Sequence, residues 1–318
     1  MMNFLNKIKF LLCLLLLVSI SANSQSLLKK DEVLLFSYFK GNGDGLHLAY
    51  STDGYKWTAL QNDKIFLKPT AGKDKLMRDP NIIRGHDGKF HMVWTVSWNE
   101  KGIGYATSAD LINWSEQKYI PVMEHEPNAR NTWAPEITYD PKTKLYMIYW
   151  ATTITGLYPE TQSKEDNGYN HRMYYVTTKD FKTFSPTKLL YEPGFNVIDA
   201  NIVADGKEFI MFLKDETREP AQKNLKVAKA QNLTGPYTKA GPPITGKYWA
   251  EGPTGLKLGG KWIVYFDKYT EGKMGAVQSA DLENWTDISD QMVFPKGMRH
   301  GTVFKVTRKE FEKLNQGQ

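Results

Sequence analysis

The pattern that decides the fold lies at residues 103–114, which begin Ile103-Gly104-Tyr105-Ala106-Thr107-Ser108-Ala109-Asp110 and end at Trp114. The same order of a short strand, a polar turn and an aromatic residue recurs four more times. Those segments end at Trp57, Phe184, Tyr237 and Trp285. Each segment follows an apolar run rich in β-branched and aromatic residues, and three of these runs follow an Asp-Gly-Lys or Gly-Gly-Lys turn.

The spacing of this repeat predicts the architecture. The five aromatic residues are 57, 70, 53 and 48 positions apart, so that each unit holds about four short strands. Self-similarity at this period is typical of a β-propeller, whereas the alternative, a two-sheet sandwich, requires five coincidental recurrences in register. Only residues 308–314 show a helical pattern. We therefore predict an all-β fold, a five-bladed β-propeller.

Each blade of a propeller needs an innermost strand that lines the central channel. Candidates for four blades lie at residues 78–83, 133–137, 198–203 and 251–254. The N-terminal blade lacks such a segment, while residues 299–304 form a strand with no blade after it. We expect the C-terminal strand to complete the N-terminal blade, because this closes the ring and removes two exposed sheet edges.

Three of the innermost strands begin with an acidic residue: Asp79, Asp199 and Glu251, while Glu136 lies slightly deeper in its own strand. Equivalent positions on different blades converge at one mouth of the channel. Singly, each acid is explained by a cap on the turn before a strand. Jointly, three like charges that converge are costly and push their pKa values apart, and this favours a catalytic site.

Composition and targeting signals bound the class of protein. The chain has 318 residues, a formal net charge of +6 and one cysteine, Cys13, which excludes a disulfide scaffold and a cysteine-built metal site. Lys7 and Lys9, an apolar run and then small residues predict a signal peptide at 1–24, with one catalytic domain at 25–318. We expect a periplasmic or extracellular monomer with no membrane segment in its mature form, and the mild charge makes nucleic acid an unlikely partner.

Five motifs fall on the five predicted innermost strands. They are Arg78-Asp79-Pro80, Trp133-Ala134-Pro135-Glu136, Ile198-Asp199, Glu251-Gly252-Pro253 and Arg299-His300-Gly301. Their order resembles that of glycoside hydrolase family 43, and the resemblance covers essentially the whole chain after residue 24. It implies a five-bladed propeller that cleaves arabinofuranosides, xylosides or galactosides with inversion.

The resemblance also implies a role for each residue of these motifs. Asp79 matches the general base, Asp199 the acid that positions and tunes its partner, and Glu251 the general acid. Arg299 matches a substrate-contacting arginine. His300 matches a histidine near the channel axis that in some members holds a metal ion, often calcium, through water. We expect no required cofactor, with calcium on the channel axis as a candidate structural ion.

The excess of aromatic residues, 13% of the chain, suggests a sugar pocket. Trp94, Trp98 and Trp133 lie in or just before innermost or second strands, where they could stack on apolar sugar faces. Packing between blades is the alternative explanation for each of them. No histidine-rich triad is visible, which argues against a catalytic zinc ion.

The expected function is therefore that of a secreted, inverting, exo-acting glycosidase of the α-L-arabinofuranosidase type. The loop at 155–171 is long enough to wall off one side of the channel mouth, which favours a pocket over an open groove. A β-D-galactofuranosidase or β-xylosidase of the same fold, an endo-acting arabinanase and a non-catalytic sugar-binding propeller remain alternatives. Gly252 stands where the related fructan-cleaving enzymes usually carry cysteine, and Ala200 and Glu136 depart from the commoner family residues.

Overall fold

The computed structural model describes residues 28–316; the predicted signal peptide at 1–24 and Cys13 lie outside that range. Five antiparallel sheets make up the described chain and form the five blades of a β-propeller. The innermost strands of neighbouring blades contact one another in a closed cycle. The predicted fold class is confirmed.

The strands follow one another blade by blade, and within a blade their order along the chain goes from the channel outwards. Blade 1 has β1 (Glu32–Tyr38), β2 (His47–Ser51) and β3 (Thr58–Ala59); blade 2 has β4 (Arg78–Arg84), β5 (Phe90–Thr95), β6 (Ile103–Ser108) and β7 (Lys118–Ile120). Blade 3 has β8 (Trp133–Asp140), β9 (Leu145–Thr152), β10 (Arg172–Thr178) and β11 (Lys188–Tyr191). Blade 4 has β12 (Val197–Asp205), β13 (Glu208–Asp215) and β14 (Asn224–Ala230); blade 5 has β15 (Glu251–Leu258), β16 (Lys261–Lys268), β17 (Lys273–Ser279) and β18 (Thr286–Asp287). The strand β19 (Gly301–Thr307) and the helix α1 (Arg308–Asn315) end the described chain.

The ring closes through β19, as predicted. This strand pairs antiparallel with β1 over seven residues, from Glu32 opposite Thr307 to Tyr38 opposite Gly301. It is the innermost strand of blade 1. The first blade is therefore built from residues at both ends of the described chain.

A hydrogen-bonded turn explains the sequence repeat. In blade 2 the Ser108 hydroxyl accepts from the Leu111 backbone N–H at 2.8 Å, and the Asp110 carboxylate accepts from the Ile112 and Asn113 N–H groups at 2.9 and 2.7 Å. Equivalent turns follow Ser51, Thr178 and Ser279. Short polar side chains that bond to the backbone two or three residues on stabilise such turns. Blade 4 has Ala230 at this position, and it is also the blade with three strands.

Four innermost strands carry the same irregularity near their start. Their pairing shifts register between the first and fourth residues of each motif. The second residue has a left-handed backbone in every case: Asp79 (φ 54°), Ala134 (φ 45°), Asp199 (φ 53°) and Gly252 (φ 61°). Left-handed residues other than glycine cost on the order of 1–3 kcal/mol each and concentrate at functional sites.

A ring of hydrogen bonds one layer deeper ties all five blades together. Asn81 donates to Thr302 at 2.9 Å, and Asn201 donates to Glu136 at 2.7 Å. Backbone N–H groups complete the ring: those of Ile137, Gly255 and Val303 donate to Asn81, Asn201 and Thr254 at 3.0, 2.8 and 3.1 Å. Each junction between innermost strands thus has at least one side-chain hydrogen bond, which fixes the positions of the residues above it.

Within residues 28–316 no helix has the length and apolarity needed to cross a membrane. The one α-helix, α1, matches the predicted helical segment. It starts at a capping box in which Thr307 and Glu310 bond to each other's backbone N–H. Leu314 of this helix is buried in the core between blades 1 and 2.

Candidate active site

The bulged starts of the innermost strands surround a cavity of about 470 Å³ at one mouth of the channel. Asp79, Asp199 and Glu251 all line it, with Arg299 and His300 from the segment before β19. The three acids come from blades 2, 4 and 5 and are separated by up to 172 positions (residues 79 to 251), yet they share one site. The predicted convergence is what the structure shows, although the roles of these residues stay proposals.

Asp79 is held as a carboxylate. Its Oδ2 accepts from the Thr95 hydroxyl at 2.9 Å, and its Oδ1 lies 3.2 Å from His300 Nδ1. Burial acts to raise the pKa of Asp79, but the charge and hydrogen bond of His300, assisted by Arg78, bring it down to about 2. The side chain is thus ionised at any pH at which an ordinary enzyme works.

Asp199 has the opposite electrostatic behaviour. It is buried, and its Oδ2 accepts from the Gly252 backbone N–H at 3.0 Å. Burial, together with the negative charges of Glu251 and Asp79, raises its pKa to about 6, although His300 and Lys214 act against the shift. The predicted separation of pKa values among the acids therefore falls on Asp79 and Asp199.

Glu251 lies between two cations. Its Oε1 accepts from Arg299 Nη2 at 3.1 Å, and its Oε2 accepts from Lys214 Nζ at 3.0 Å. Arg299 is itself anchored, since its Nε donates to Asp267 at 2.9 Å. Trp249, two residues before Glu251, lies tilted against Tyr269 with ring centroids 5.9 Å apart and does not line the cavity.

His300 directly precedes β19, which lies between β4 with Asp79 and β15 with Glu251. Burial acts to lower its pKa, but Asp79, with Asp199 and Glu136, raises it to about 9, so the ring is a cation at neutral pH. Gly252 makes room for it, because a Cβ there would lie 2.2 Å from His300 Cγ. The imidazolium thus supplies positive charge among the acids.

In this protonated form His300 is not a ligand for the calcium ion that the resemblance implied. A protonated imidazole has no lone pair for a metal or for the hydrogens of a metal-bound water. Among residues 28–316 no group of three or more His, Cys, Asp or Glu side chains is arranged to hold a metal ion. Calcium binding stays a prediction, and no step below depends on it.

Two of the three predicted tryptophans lie at the cavity. Trp98 and Trp133 line it and meet edge to face at 5.5 Å, and the Trp133 indole N–H donates to the Trp98 carbonyl at 3.0 Å. Trp98 is 40% exposed, which leaves an aromatic surface for a sugar. Arg78 packs on the Trp98 ring at 4.4 Å and so holds it beside Asp79.

The prediction that Trp94 binds substrate is wrong, because its side chain cannot be reached from the cavity. Its side chain is 0% exposed and belongs to the core between blades 1 and 2. It fills the space left by Gly104, where a Cβ would lie 2.1 Å from its ring. Second strands of a propeller are covered by neighbouring blades on both faces, and packing between blades therefore explains this residue.

The loop at 155–171 packs against Trp133 at the edge of the cavity. Tyr169 packs on Trp133 at 4.8 Å, and Arg130 lies over the outer face of Tyr169 at 4.1 Å. The base of the loop is fixed by Arg172, which is fully buried and donates to Thr161 and Asn170 at 2.7 and 3.0 Å. The loop thus borders the cavity at Trp133, and that it walls off one side of the channel mouth stays a prediction.

The sequence reasoning missed three polar residues of the site, Thr95, Lys214 and Asp267. They stand opposite Arg78, Ile198 and Glu251 in the β-ladders. A usable signal was present, because Lys214 and Asp267 directly follow the apolar runs of β13 and β16. A charged residue at the end of a buried strand needs a partner, and that partner lies at the start of the innermost strand.

A larger depression, of about 550 Å³, lies at the other ends of blades 2 and 3, around His91, Tyr105 and Phe181. None of the predicted catalytic residues lines it. We place the candidate active site in the smaller cavity because the three acids meet there.

A family model described as a probable glycosyl hydrolase domain, related to glycoside hydrolase family 43, matches residues 31–312. The chain belongs to this family. The match spans all five blades and confirms the resemblance stated from the motifs. The chain is therefore a family-43-related glycosidase.

The known proteins that are similar to this chain have several activities. An α-L-arabinofuranosidase of Bifidobacterium longum is 25% identical over 57% of this chain, although the match covers only 20% of that larger protein. An α-L-arabinofuranosidase structure from Lactobacillus brevis has a TM-score of 0.52 at 20% identity, covering 67% of this chain and 72% of that one. A family-43 β-1,3-galactosidase with galactodeoxynojirimycin has a TM-score of 0.51 at 14% identity, covering 70% and 79%. At these identities the structures show a shared fold alone.

Proposed function

We propose that this protein is an exported, exo-acting, inverting glycosidase that releases α-L-arabinofuranosyl residues from polysaccharides. The observation that carries the proposal is the cavity in which three acids from three blades meet a protonated histidine. A sugar-binding protein has no need of buried like charges, which are unfavourable unless they are used. The curated arabinofuranosidase relative supports the choice of sugar.

In the proposed mechanism Asp79 is the general base and Glu251 the general acid. Asp79, kept ionised by His300, takes the proton of a water molecule, and the water oxygen attacks the anomeric carbon. Glu251 gives its proton to the glycosidic oxygen as that bond breaks. Inverting enzymes place these two carboxyl groups about 6.5–9.5 Å apart. Asp79 and Glu251 begin the innermost strands on either side of β19, and both line the cavity.

Asp199 and Arg299 support the acid in this proposal. Asp199 holds the backbone of Gly252, the residue next to Glu251, through its Oδ2, while Arg299 orients Glu251 through Oε1 and reaches towards the sugar. Trp98 and Trp133 form the aromatic side of the pocket. The wall at Tyr169 supports exo action, because a polymer chain has less room to pass through on that side.

Export follows from the predicted signal peptide at 1–24, and we propose a periplasmic or extracellular location. A polysaccharide-degrading enzyme meets its substrate there. Fractionation of cells that express the full chain, with the N-terminus of the mature protein sequenced, tests this. Retention of residues 1–24 in the purified protein would contradict it.

The activity is tested with aryl α-L-arabinofuranoside, β-D-galactofuranoside, β-D-xyloside and β-D-galactoside on chain 25–318. We expect the arabinofuranoside to be cleaved fastest, and NMR of the first product to show the anomer opposite to that of the substrate. Preference for another glycoside would correct the sugar, and retained configuration would overturn the mechanism. Binding of sugars without any turnover would identify a non-catalytic propeller.

The roles of the two catalytic acids are separated by the leaving group. Glu251→Gln should lose nearly all activity on substrates with poor leaving groups and keep considerably more on activated aryl glycosides, which need no protonation. Asp79→Asn should lose both activities, because an activated leaving group does not replace the base. Equal proportional losses in both variants would refute the assignment.

A further inference from the structure

Lys214 is a buried cation that the mechanism above does not use. Its side chain is 2% exposed, and its Nζ lies 3.0 Å from Glu251 Oε2 and 2.6 Å from Glu216 Oε2. Burial acts to lower the pKa of Lys214, but Glu251 and Glu216 raise it well above its ordinary value. A buried ammonium group persists only with such partners.

Lys214 belongs to a row of six charged groups that alternate in sign along the cavity wall. The row consists of Lys223, Glu216, Lys214, Glu251, Arg299 and Asp267, each in contact with the next. Its three positive and three negative groups balance. Glu251 is therefore an internal member with a cation on either side.

Both cations that touch Glu251 have a second carboxylate. When Glu251 takes up a proton, Lys214 keeps Glu216 at 2.6 Å and Arg299 keeps Asp267 at 2.9 Å. Neither cation is then left buried and unpaired, a state that costs several kcal/mol. The row is thus stable with Glu251 either ionised or protonated. A residue that donates a proton and later regains it needs both states.

We propose that Lys214 is a positioning residue for Glu251, and that with Glu216 it sets the pH at which Glu251 loses its proton. The proposal rests on the proposed role of Glu251 as the general acid. Glu251 also faces Arg299 from the segment before β19, Asp199 from β12, Asp267 from β16 and Tyr269 just after it. These groups are unchanged in the variants below.

The sign of the effect differs between the two residues. A general acid must be protonated, so activity falls as pH rises through its pKa. Loss of the positive charge of Lys214 makes Glu251 hold its proton to higher pH, whereas loss of the negative charge of Glu216 makes it release the proton at lower pH. A merely structural role predicts no such opposition.

The experiment compares pH profiles of kcat/KM for Lys214→Met, Lys214→Arg and Glu216→Gln on the glycoside that the wild type cleaves. We expect Lys214→Met to move the alkaline limb up by about one pH unit and to lower kcat at least about tenfold. Lys214→Arg should restore the limb, and Glu216→Gln should move it down. Lys226→Met is the matched control, since Lys226 pairs with Asp215 on the next strand and does not line the cavity.

Shifts in the same direction, no shift, or an equal shift in Lys226→Met would overturn the proposal. If Lys214→Met fails to fold, an unmoved limb in Glu216→Gln overturns it alone. The titration of Glu251 is also read without turnover, from the pH at which the unfolding free energies of the wild type and Glu251→Gln diverge. A shift of that pH by Lys214→Met with no Glu251-dependent turnover would refute the proposed function and leave this inference standing.

Discussion

Gly252 shows how a single missing side chain shapes the site. Its φ of 61° favours glycine, and the space a Cβ would fill is taken by the His300 ring. Gly206 in the β12–β13 turn offers a matched comparison, since its φ is 62° and nothing lies within 4 Å of an added Cβ. The two positions differ in contacts but not in backbone conformation.

We predict that Gly252→Ala and Gly206→Ala both lose about 1 kcal/mol of unfolding free energy to backbone strain. Gly252→Ala should lose about 2 kcal/mol more through the clash with His300. Its kcat should also fall at least about tenfold, because His300 then moves away from Asp79. Denaturant unfolding and turnover of both variants check this; equal losses would show that the ring position is not constrained by Gly252.

Glu136 is a buried carboxyl group that is protonated at neutral pH. Burial raises its pKa to about 8, despite hydrogen bonds from Asn201 and Tyr149 and the charge of His300, with Asp199 adding to the shift. The folded state therefore keeps a proton that the unfolded state loses near pH 4.5. Stability contributed by this group is present below pH 4.5 and declines as pH rises towards 8.

Glu136→Gln, which mimics the neutral acid, should remove this slope. We expect the variant and the wild type to have similar unfolding free energies at pH 4.5, and the variant to be more stable by about 4 kcal/mol at pH 8. Denaturant unfolding at several pH values measures the difference, in which unrelated titrations cancel. Parallel profiles would mean that Glu136 is ionised in the folded protein.

At the scale of elements, Arg172 fixes the base of the loop at 155–171 to blade 3. Arg172 at the start of β10 reaches Thr161 and Asn170, pairs with Glu192 at 2.5 Å and packs on the Tyr158 ring at 4.2 Å. Lysine carries the same charge but cannot make these contacts at once. The loop in turn holds Tyr169 against Trp133.

We therefore predict that Arg172→Lys loosens the wall of the pocket and leaves the catalytic acids in place. The KM for the preferred glycoside should rise several-fold, while kcat changes less than about twofold, as for lost binding that is equal in ground and transition states. Cleavage at 155–171 in limited proteolysis should become faster. A lower kcat with unchanged KM would show that the loop does not border the substrate.

The innermost strands were predictable from the sequence because each begins with a short motif that differs from the apolar run behind it. The roles of second-strand residues were harder to infer. Trp94 and Trp98 are four positions apart, yet the first lies in the core and the second at the cavity, since β5 ends at Thr95 and the chain then turns to the mouth. The positions of Lys214 and Asp267 at strand ends signal that each needs a partner. Those partners, Glu251 and Arg299, come from neighbouring blades, and no local pattern encodes contacts between blades.

At the scale of the whole molecule, β19 closes the ring and positions part of the site. It completes blade 1 and is preceded by Arg299 and His300. Truncation before Met298 should prevent cooperative folding, because the edge of β1 and the contacts of β19 with β4 and β15 are lost. Truncation after Thr307 keeps β19 and should leave a cooperative, less stable protein that lacks the Leu314 contact.

Thermal unfolding followed by circular dichroism distinguishes these two truncations. A shorter chain that ends before Met298 and still melts cooperatively near the wild-type temperature would show that the ring does not depend on its closing strand.

His300→Ala, in contrast, should lose stability as well as activity, since it leaves Asp79 buried without its main counter-charge.

The pairing of β1 with β19 also orders events during synthesis. Blades 2 to 5 are each made of one continuous stretch of chain and can form as the ribosome releases them. Blade 1 must wait, since its innermost strand is synthesised about 260 residues after β1. Until then β1 presents an unpaired edge to the crowded surroundings of the nascent chain. A chaperone or translocation factor that binds extended segments would find its target at residues 32–38, and release would coincide with the arrival of residues 301–307.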